Sequence, residues 1–298
     1  MAGGPYGELL EAVRGVRWPA RRAVSGGSSG IHLARTRGVA SEFAEYRPYR
    51  QGDDPRRLDW KLLARSDRAF TRLAPDHSVL STLIAVDASA SMAYPARIAP
   101  GGTGVEFGKW LAARRIAVAC AAIAHAAGDP VGLAIASAGG LTRLPSRTRR
   151  GIVAEIARTL DATAPGGSSS LIGAFVDAGR RVLLISDCLG EESALRNAAR
   201  THIASGGEVH LAHIVAHAEI DPGREAMLAT DPEDARIRRP LTRATRAAYE
   251  AAFAAWRSDL ARRWRDHGVT YSEVRDDEPL DVVVRRVVAP PGIARART

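Results

Sequence analysis

The chain has 298 residues, of which 46% are hydrophobic and 5% aromatic, so it can bury the core of one large domain or two small ones. Its net charge is +9, but only Lys61 and Lys109 are lysines among 42 basic residues, a bias that weakens any inference from charge to nucleic acid. Cys120 and Cys188 are too few for a disulfide framework, and no apolar stretch is long enough to span a bilayer. We therefore expect a soluble, cytoplasmic protein.

The composition changes twice along the chain. Residues 1–30 contain a short amphipathic piece followed by SGGSSG, the signature of a flexible linker. Residues 31–78 are dense in charge and mix short apolar pairs with turns, which indicates a β-rich appendage packed on a larger domain. Residues 79–290 carry that larger domain, and residues 291–298 form a C-terminal tail.

Apolar β-type runs alternate with helical patterns from residue 79 onward. Strands are predicted at 80–86, 131–136, 141–144, 181–186, 208–215 and 269–274. Helices are predicted near 107–127, 149–161, 170–179, 191–205 and 242–267. This alternation indicates a doubly wound α/β fold with a mostly parallel sheet covered on both faces.

Two patterns in these elements have structural interpretations. In the last helix, apolar residues recur every three or four positions, which predicts a face packed on the core: Tyr249, Phe253, Trp256, Leu260 and Trp264. On the strand 208–215, His210 and His213 are an odd number of residues apart, so they should point to opposite faces and not share a zinc ion.

Oxygen-bearing side chains follow two of the predicted strands. Asp87 ends the first apolar run and is followed by Ser89 and Ser91, while Asp187 directly follows RVLLIS. Both aspartates should lie at the same edge of the sheet, beyond the carboxyl ends of the strands, where ligands bind in such folds. A glycine-rich loop, PGGSSSL at 165–171, supplies further hydroxyls. An all-oxygen set favours Mg²⁺, Mn²⁺ or Ca²⁺.

These motifs together resemble a known site. The order D-x-S-x-S, Gly-Gly loop with a hydroxyl, strand ending in Ser-Asp is similar to the metal-ion-dependent adhesion site of von Willebrand factor type A domains. The upstream block FAEYRPYRQGDDPRRLDWKLLAR, residues 43–65, resembles the hallmark of the prokaryotic family called domain of unknown function 58. The residues that carry this second resemblance are Tyr49, Gly52, Asp53, Arg57, Asp59, Trp60 and Arg65.

The resemblance implies a Rossmann-like type A fold and a particular set of metal ligands. Position by position, the ligands are Asp87, Ser89, Ser91, Ser169 or Ser168, and Asp187. The family has a threonine at the middle position. Ser169 is the preferred match because Leu171 then occupies the family's apolar position, and Ser168 is the alternative. The implied cofactor is Mg²⁺, or Mn²⁺ or Ca²⁺.

The resemblance also implies a function. A type A domain leaves one position on the metal open for an acidic side chain of a protein partner. Proteins of this family are commonly encoded with MoxR-type AAA+ ATPases, so the expected role is a non-enzymatic adaptor or partner of such an ATPase in a chaperone-like assembly.

Two other functions stay open at this point. The same oxygen ligands could serve a metal-dependent hydrolase with Asp87 as base or nucleophile. The arginines could serve nucleic-acid binding, although they are spread along the chain without a recognition motif.

The charged block at 49–65 has two interpretations. It is either an ion-pair network that ties a turn to the domain or a partner-docking face. Its apolar residues are too many for a solvated tail, so we expect Trp60 to be buried against the type A domain.

Overall fold

The computed structural model describes residues 6–20, 29–33, 45–49, 60–66, 68–73, 77–98, 105–223, 227–231 and 236–289. The helices are α1 (Gly7–Ala12), α2 (Trp60–Ser66), α3 (Gly108–Ala126), α4 (Ile152–Asp161), α5 (Glu192–Ala204), α6 (His217–Ile220), α7 (Arg243–Asp266) and α8 (Leu280–Val288). No helix in these ranges combines the length and apolarity that a membrane crossing needs.

The strands lie in one large sheet and several two-stranded pairs. They are β1 (Ser29–Leu33), β2 (Glu45–Pro48), β3 (Phe70–Leu73), β4 (His77–Ser78), β5 (Thr82–Asp87), β6 (Ala96–Ile98), β7 (Val105–Phe107), β8 (Val131–Ser137), β9 (Gly140–Arg147), β10 (Arg181–Ser186), β11 (Glu208–Val215), β12 (Met227–Thr230), β13 (Arg238–Leu241) and β14 (Thr270–Arg275). Antiparallel pairs join β1 to β4, β2 to β3, β6 to β7 and β12 to β13.

The large sheet has six strands in the order β14-β11-β10-β5-β8-β9. All neighbours are parallel except β9, which is antiparallel to β8 at one edge. The prediction of a mixed α/β fold with a mostly parallel central sheet is therefore confirmed. The chain leaves β5 toward β8 but later leaves β10 toward β11, so the winding direction reverses between β5 and β10, where such folds place their ligand sites.

The sequence of β5 explains its central position. All six residues of TLIAVD are buried, so both faces of the strand must be covered. Ile84 and Val86 belong to the core cluster that includes α3, α4 and α8, whereas Leu83 and Ala85 belong to the cluster that includes α5 and α7. The two cores lie on opposite faces of the sheet because side chains alternate along a strand.

The apolar stripe predicted on the last long helix is confirmed in α7. Leu260 and Trp264 are buried, and Tyr249, Phe253 and Trp256 are partly buried. The helix begins where Thr242 caps the backbone N–H of Thr245.

Residues 6–20 contribute to the main core. Tyr6, Leu9, Val13 and Trp18 are buried in the same cluster as α3 and α4. The Tyr6 hydroxyl donates a hydrogen bond of 2.6 Å to Asp161, the last residue of α4. The amphipathic piece identified in the first thirty residues thus packs on the large domain, and the last two residues of the predicted linker begin β1.

The helix predicted at 170–179 is wrong. The structure has only one 3-10 turn there, Ile172–Phe175. Asp177 has φ of +53°, outside the right-handed helical region, and helices do not continue through such a residue.

The helix α8 has no counterpart in the sequence-based prediction. Its valines are β-branched and individually poor helix formers, but Val283, Val284, Val287 and Val288 are all buried on one face. Packing of that face outweighs the local preference.

The expected burial of Trp60 is also wrong. Its side chain is 63% exposed at the first position of α2, and Leu62 and Leu63 are the partly buried apolar residues of that helix. In a helix of only seven residues one face can pack, and here Leu62 and Leu63 lie on the partly buried face while Trp60 does not.

The other residues of the charged block have separate outcomes. Tyr49 donates its backbone N–H to Ala69, at 2.8 Å, and Arg65 is exposed. Gly52, Asp53, Arg57 and Asp59 lie outside the described residues.

Candidate metal centre

Asp87 lies at the carboxyl end of β5, beside the end of β10. Val86 is paired with Ile185 across these parallel strands, so the next residues, Asp87 and Ser186, are neighbours. The Ser186 hydroxyl donates a hydrogen bond of 2.7 Å to Asp87 Oδ2. This carboxylate therefore lies at the switch in winding direction between β5 and β10.

The D-x-S-x-S loop turns back over this carboxylate. The backbone N–H of Ser89 donates to Asp87 Oδ1 at 2.9 Å, and the 3-10 turn Ala90–Ala93 starts at the next residue. The hydroxyl oxygens of Ser89 and Ser91 are 3.0 Å apart. Both side chains are buried, so the turn gathers two hydroxyls and one carboxylate at a single place.

The glycine-rich loop is joined to the D-x-S-x-S loop by two backbone hydrogen bonds. Gly166 donates to the Ala88 carbonyl at 2.9 Å, and Ala90 donates to the Gly167 carbonyl at 2.8 Å. This docking brings the Ser169 hydroxyl to Asp87 Oδ1, at 2.6 Å.

The structure distinguishes the two candidates for the middle ligand. Ser169 is half-buried and donates to Asp87, whereas the side chain of Ser168 is exposed. The next residue, Ser170, donates to Glu191 at 3.2 Å instead. Ser169 is therefore the serine of this loop that faces the Asp87 site.

The glycine-rich loop also packs closely against the turn between β8 and β9, and this approach depends on Gly167. Its φ is +65°, and a Cβ atom there would lie 2.5 Å from the Cβ of Ala138. We predict that Gly167→Ala lowers the free energy of unfolding by at least about 1–2 kcal/mol, because a left-handed conformation alone costs that much. Urea unfolding measures this difference.

Gly166→Ala is the matched control for that variant. A Cβ at Gly166 would have no atom within 4 Å, and its φ is not in the left-handed region. Its stability should stay close to that of the wild type. Equal losses of stability in the two variants would show that the fold does not require the close packing of Gly167 against Ala138.

The environment of Asp87 favours a fixed position for its carboxylate. The side chain is buried, and burial raises its pKa, with the nearby Asp187 carboxylate adding to the increase. Hydrogen bonds from Ser169, Ser186 and the Ser89 backbone act in the opposite direction. A serine hydroxyl that donates its proton to Asp87 keeps its lone pairs available to a cation.

Asp187 lies at the same edge but has a different partner. Its Oδ2 accepts a hydrogen bond of 2.7 Å from the Nζ atom of Lys109, which is only 1% exposed. The same Nζ atom donates to Glu219 at 2.8 Å, and Glu219 in turn accepts from the backbone N–H of Ala216. Asp187 is thus one member of an ion triad that joins α3, the end of β10 and α6, in which Lys109 and Asp187 are buried and Glu219 is partly buried.

Lys109 is charged in this triad. Burial alone lowers the pKa of a lysine, but here the carboxylates of Asp187 and Glu219 more than offset it, and the pKa is raised above its usual value.

His213 supports the backbone beside the site. Its Nδ1 atom is 2.6 Å from the Tyr271 hydroxyl and its Nε2 atom is 3.2 Å from the carbonyl oxygen of Asp187. Burial lowers the pKa of His213 to about 4, so the ring is neutral near pH 7. The ring of His210 packs instead against Trp18, in the core on the opposite face of the sheet, as the spacing predicts.

Cys188 has a structural place in the loop after β10. Its φ is +58°, and its backbone N–H donates to the Ser186 hydroxyl at 2.9 Å. Burial raises the pKa of its thiol well above the usual value, and the carboxylates of Asp187 and Asp87 add to the increase. A protonated, buried thiol is a poor nucleophile.

The oxygen atoms at this edge of the sheet are of the kind that bind a hard cation, but few of them are carboxylate oxygens. Within the described ranges, no three His, Cys, Asp or Glu side chains come together as metal ligands. A cation beside Asp87 would therefore rely on one carboxylate and the hydroxyls of Ser89, Ser91 and Ser169. Such an oxygen set suits Mg²⁺, which keeps several waters in its shell.

Sequence reasoning assigned no role at the site to three residues of this region: Ser186, Lys109 and Glu219. Ser186 faces Asp87 through the register of two strands that are far apart in sequence. Lys109 had one available signal, because it is one of only two lysines in an arginine-rich chain and lies in the first turn of a long, mostly apolar helix. Glu219 is 110 residues from Lys109 in sequence, so no local pattern reveals that the two side chains form an ion pair.

The fold and the site define a class: a doubly wound α/β protein with a carboxylate and hydroxyl cluster at the switch in winding direction. Residues 45–259 match the family described as Protein of unknown function DUF58. The chain belongs to this family.

The chain is also similar to two uncharacterized mycobacterial proteins. It is 29% identical to the uncharacterized protein Rv1480 of Mycobacterium tuberculosis (strain ATCC 25618 / H37Rv) over 298 residues, which cover 95% of this chain and 89% of the relative. The uncharacterized protein Mb1516 of Mycobacterium bovis matches with the same values.

The solved structures are more distant. The conserved hypothetical protein BatB of Bacteroides thetaiotaomicron aligns with a TM-score of 0.44 and 15% identity over 72% of this chain and 98% of that one. An aerotolerance-related membrane protein of Bacteroides fragilis aligns with a TM-score of 0.41 and 14% identity, over 70% and 96% of the two chains.

Proposed function

We propose that this protein is a von Willebrand factor type A module that binds a divalent cation, Mg²⁺ in the first place, and recognises an acidic side chain of a protein partner through it. The observation that carries the proposal is the convergence of three chain segments on Asp87. The loop after β5, the glycine-rich loop and the end of β10 each direct a hydroxyl to this region, and two of them donate to the carboxylate itself.

In this proposal the chain's own residues hold and orient the cation. Ser89, Ser91 and Ser169 present hydroxyl oxygens, and Asp87 supplies the negative charge and fixes Ser169 by a hydrogen bond of 2.6 Å. The cation, when bound, supplies an open coordination position for a carboxylate from outside. Asp187 is not one of the proposed direct ligands, because its carboxylate is paired with Lys109.

The hydrogen bonds of Asp87 favour binding over hydrolysis. Its two oxygens accept three hydrogen bonds, from Ser89, Ser169 and Ser186. Those bonds suit a ligand held in one orientation, whereas a general base must present a free oxygen to its substrate. We therefore propose a non-enzymatic role.

For the partner class we propose a MoxR-type AAA+ ATPase, with this protein as its adaptor in a chaperone-like assembly. The support is the resemblance of residues 43–65 to the family hallmark, since the site itself specifies only an acidic group. A pull-down tests it: immobilised protein is incubated with a lysate of its source organism in Mg²⁺ or in EDTA. An AAA+ ATPase should be retained only with Mg²⁺ and not by the Asp87→Ala variant. Retention that ignores both metal and Asp87 would contradict the proposal.

The middle ligand gives a prediction with an internal control. Ser169→Ala should weaken Mg²⁺ binding at least about tenfold, the lower end of what loss of a ligand-positioning group costs at metal sites. Ser168→Ala, one position away and exposed, should bind as the wild type does. Isothermal titration with Mg²⁺ compares the two. Two unchanged variants would mean that the glycine-rich loop packs against the site without contributing a ligand.

A further inference from the structure

Trp60 is exposed, although the chain buries its other tryptophans fully or in part. Its side chain is 63% exposed at the first position of α2, whereas the remaining four are buried or partly buried: Trp18, Trp110, Trp256 and Trp264. An indole is among the largest apolar groups that a fold can remove from water, and one left in solvent contributes little to stability. The surface position of Trp60 is therefore better explained by binding than by folding.

The helix that carries Trp60 is held in place by other residues. Leu62 and Leu63 are partly buried, and this packing orders α2, because a helix of seven residues is not stable by itself. Ala64 is exposed and lies one helical turn after Trp60, so the two residues share a face. The indole is thus presented to solvent by an ordered element, within the residues 45–259 that match the family.

The surroundings of this face are basic. Arg65 is exposed beside Ala64 and forms no ion pair with another described residue. Residues 60–73 contain four basic residues and one acidic residue, and the wider segment 52–73 contains six and four. A binding partner that complements this charge must itself be acidic.

Two other occupants of this face fit less well. A second copy of the chain, related by a twofold axis, would place the same arginines against each other. A lipid surface needs a continuous apolar helix face, and the exposed apolar side chains of α2 are only Trp60 and Ala64. An acidic protein segment satisfies both the charge and the small apolar area.

We propose that the face of α2 formed by Trp60, Ala64 and Arg65 docks an acidic segment of a partner protein, with an apolar side chain of that segment covering the indole. Tryptophan and arginine are among the residue types that most often dominate the binding energy of an interface. Because α2 supplies none of the residues of the candidate metal centre, this contact does not require a cation and is independent of the proposed function.

Fluorine NMR of the full chain labelled with fluorotryptophan tests the contact, because each of the five tryptophans gives its own resonance. The Trp60→Phe variant identifies the resonance of Trp60. The probe is a synthetic peptide of alternating glutamate and leucine pairs, added in the presence of EDTA, and the control peptide has lysine in place of glutamate. The glutamate peptide should shift the Trp60 resonance in a saturable way, and the lysine peptide should leave it unchanged.

Fluorescence anisotropy of the labelled glutamate peptide then measures the contribution of each residue. Trp60→Ala should lower peptide affinity at least about thirtyfold, the usual threshold for a dominant interface residue. Arg65→Glu should lower it roughly threefold to tenfold, since an exposed attraction becomes a repulsion. Arg200→Glu is the matched control, because it makes the same charge change at an exposed position of α5, and its affinity should equal that of the wild type. Thermal melting establishes that each variant is folded.

Three results would overturn the inference: no shift of the Trp60 resonance, an equal shift with the lysine peptide, or equal losses of affinity in Arg65→Glu and Arg200→Glu. A Trp60 resonance that responds to phosphatidylglycerol vesicles and not to the peptide would overturn it in favour of a lipid surface. Asp87→Ala should bind the peptide as the wild type does. Failure of this contact therefore leaves the proposed metal site untouched, and failure of metal binding leaves this contact untouched.

Discussion

Trp18→Ala is expected to lower the melting temperature of the domain by roughly 10 °C. Loss of a fully buried tryptophan costs about 3–5 kcal/mol, and each kcal/mol corresponds to roughly 2–4 °C in a domain of this size. Trp18 is 1% exposed, although it lies outside the central sheet and far from it in sequence.

The contacts of Trp18 explain why its loss would affect the sheet itself. The guanidinium of Arg181 lies 4.4 Å from the ring centre, and the Trp18 carbonyl accepts a hydrogen bond of 3.2 Å from the same group. Arg181 begins β10, is completely buried and is paired with Glu208 at the start of β11. Removing the indole leaves this buried cation without its covering ring, which adds a desolvation cost to the lost apolar contact.

Trp60→Ala is the matched control for Trp18→Ala. Its side chain is 63% exposed, so its replacement should change stability by no more than about 0.5 kcal/mol, as surface substitutions usually do. Differential scanning calorimetry of both variants tests the pair. Similar melting temperatures for the two variants would contradict the packing of residues 6–20 on the core.

Asp87→Ala is expected to abolish binding of Mg²⁺ and Mn²⁺, measured by calorimetric titration. Among the described residues, Asp87 is the carboxylate that accepts hydrogen bonds from the Ser169 and Ser186 hydroxyls, and hydroxyls alone do not offset the cost of dehydrating Mg²⁺. The variant should also lose about 1–3 kcal/mol of stability, because the hydroxyls of Ser169 and Ser186 lose their acceptor.

Two further variants separate charge from packing in that result. Asp87→Asn keeps the shape of the side chain and should still lose cation binding. Asp266→Asn removes a carboxylate from the exposed end of α7 and should bind as the wild type does. Metal binding that survives both substitutions of Asp87 would place the cation elsewhere in the chain.

The parts of the fold that sequence predicted are those in which local pattern and tertiary environment agree. The run Thr82–Asp87 is apolar because the strand is buried on both faces, and the stripe on α7 repeats because one face meets the sheet. The positions of Asp87 and Asp187 followed from a topological rule about strand ends, which the sheet order satisfies.

The parts that sequence missed depend on contacts between distant segments. Trp18 and Trp60 have similar local surroundings of arginine and apolar residues, yet one is buried and the other exposed, because only the first meets Arg181. The ion triad is equally nonlocal: Lys109, Asp187 and Glu219 come from three elements that meet only at the edge of the finished sheet. The local periodicity of hydrophobic residues contains no information about such long-range side-chain contacts.

The central claim is that a divalent cation binds between the loop after β5 and the glycine-rich loop. Anomalous diffraction near the manganese absorption edge, from crystals grown with Mn²⁺, tests it most directly. The claim predicts an anomalous peak coordinated by the hydroxyl oxygens of Ser89, Ser91 and Ser169 beside Asp87, with the Lys109–Asp187 ion pair retained. Saturating Mn²⁺ with no peak at this position, or a peak held by Asp187 in place of Lys109, would contradict it.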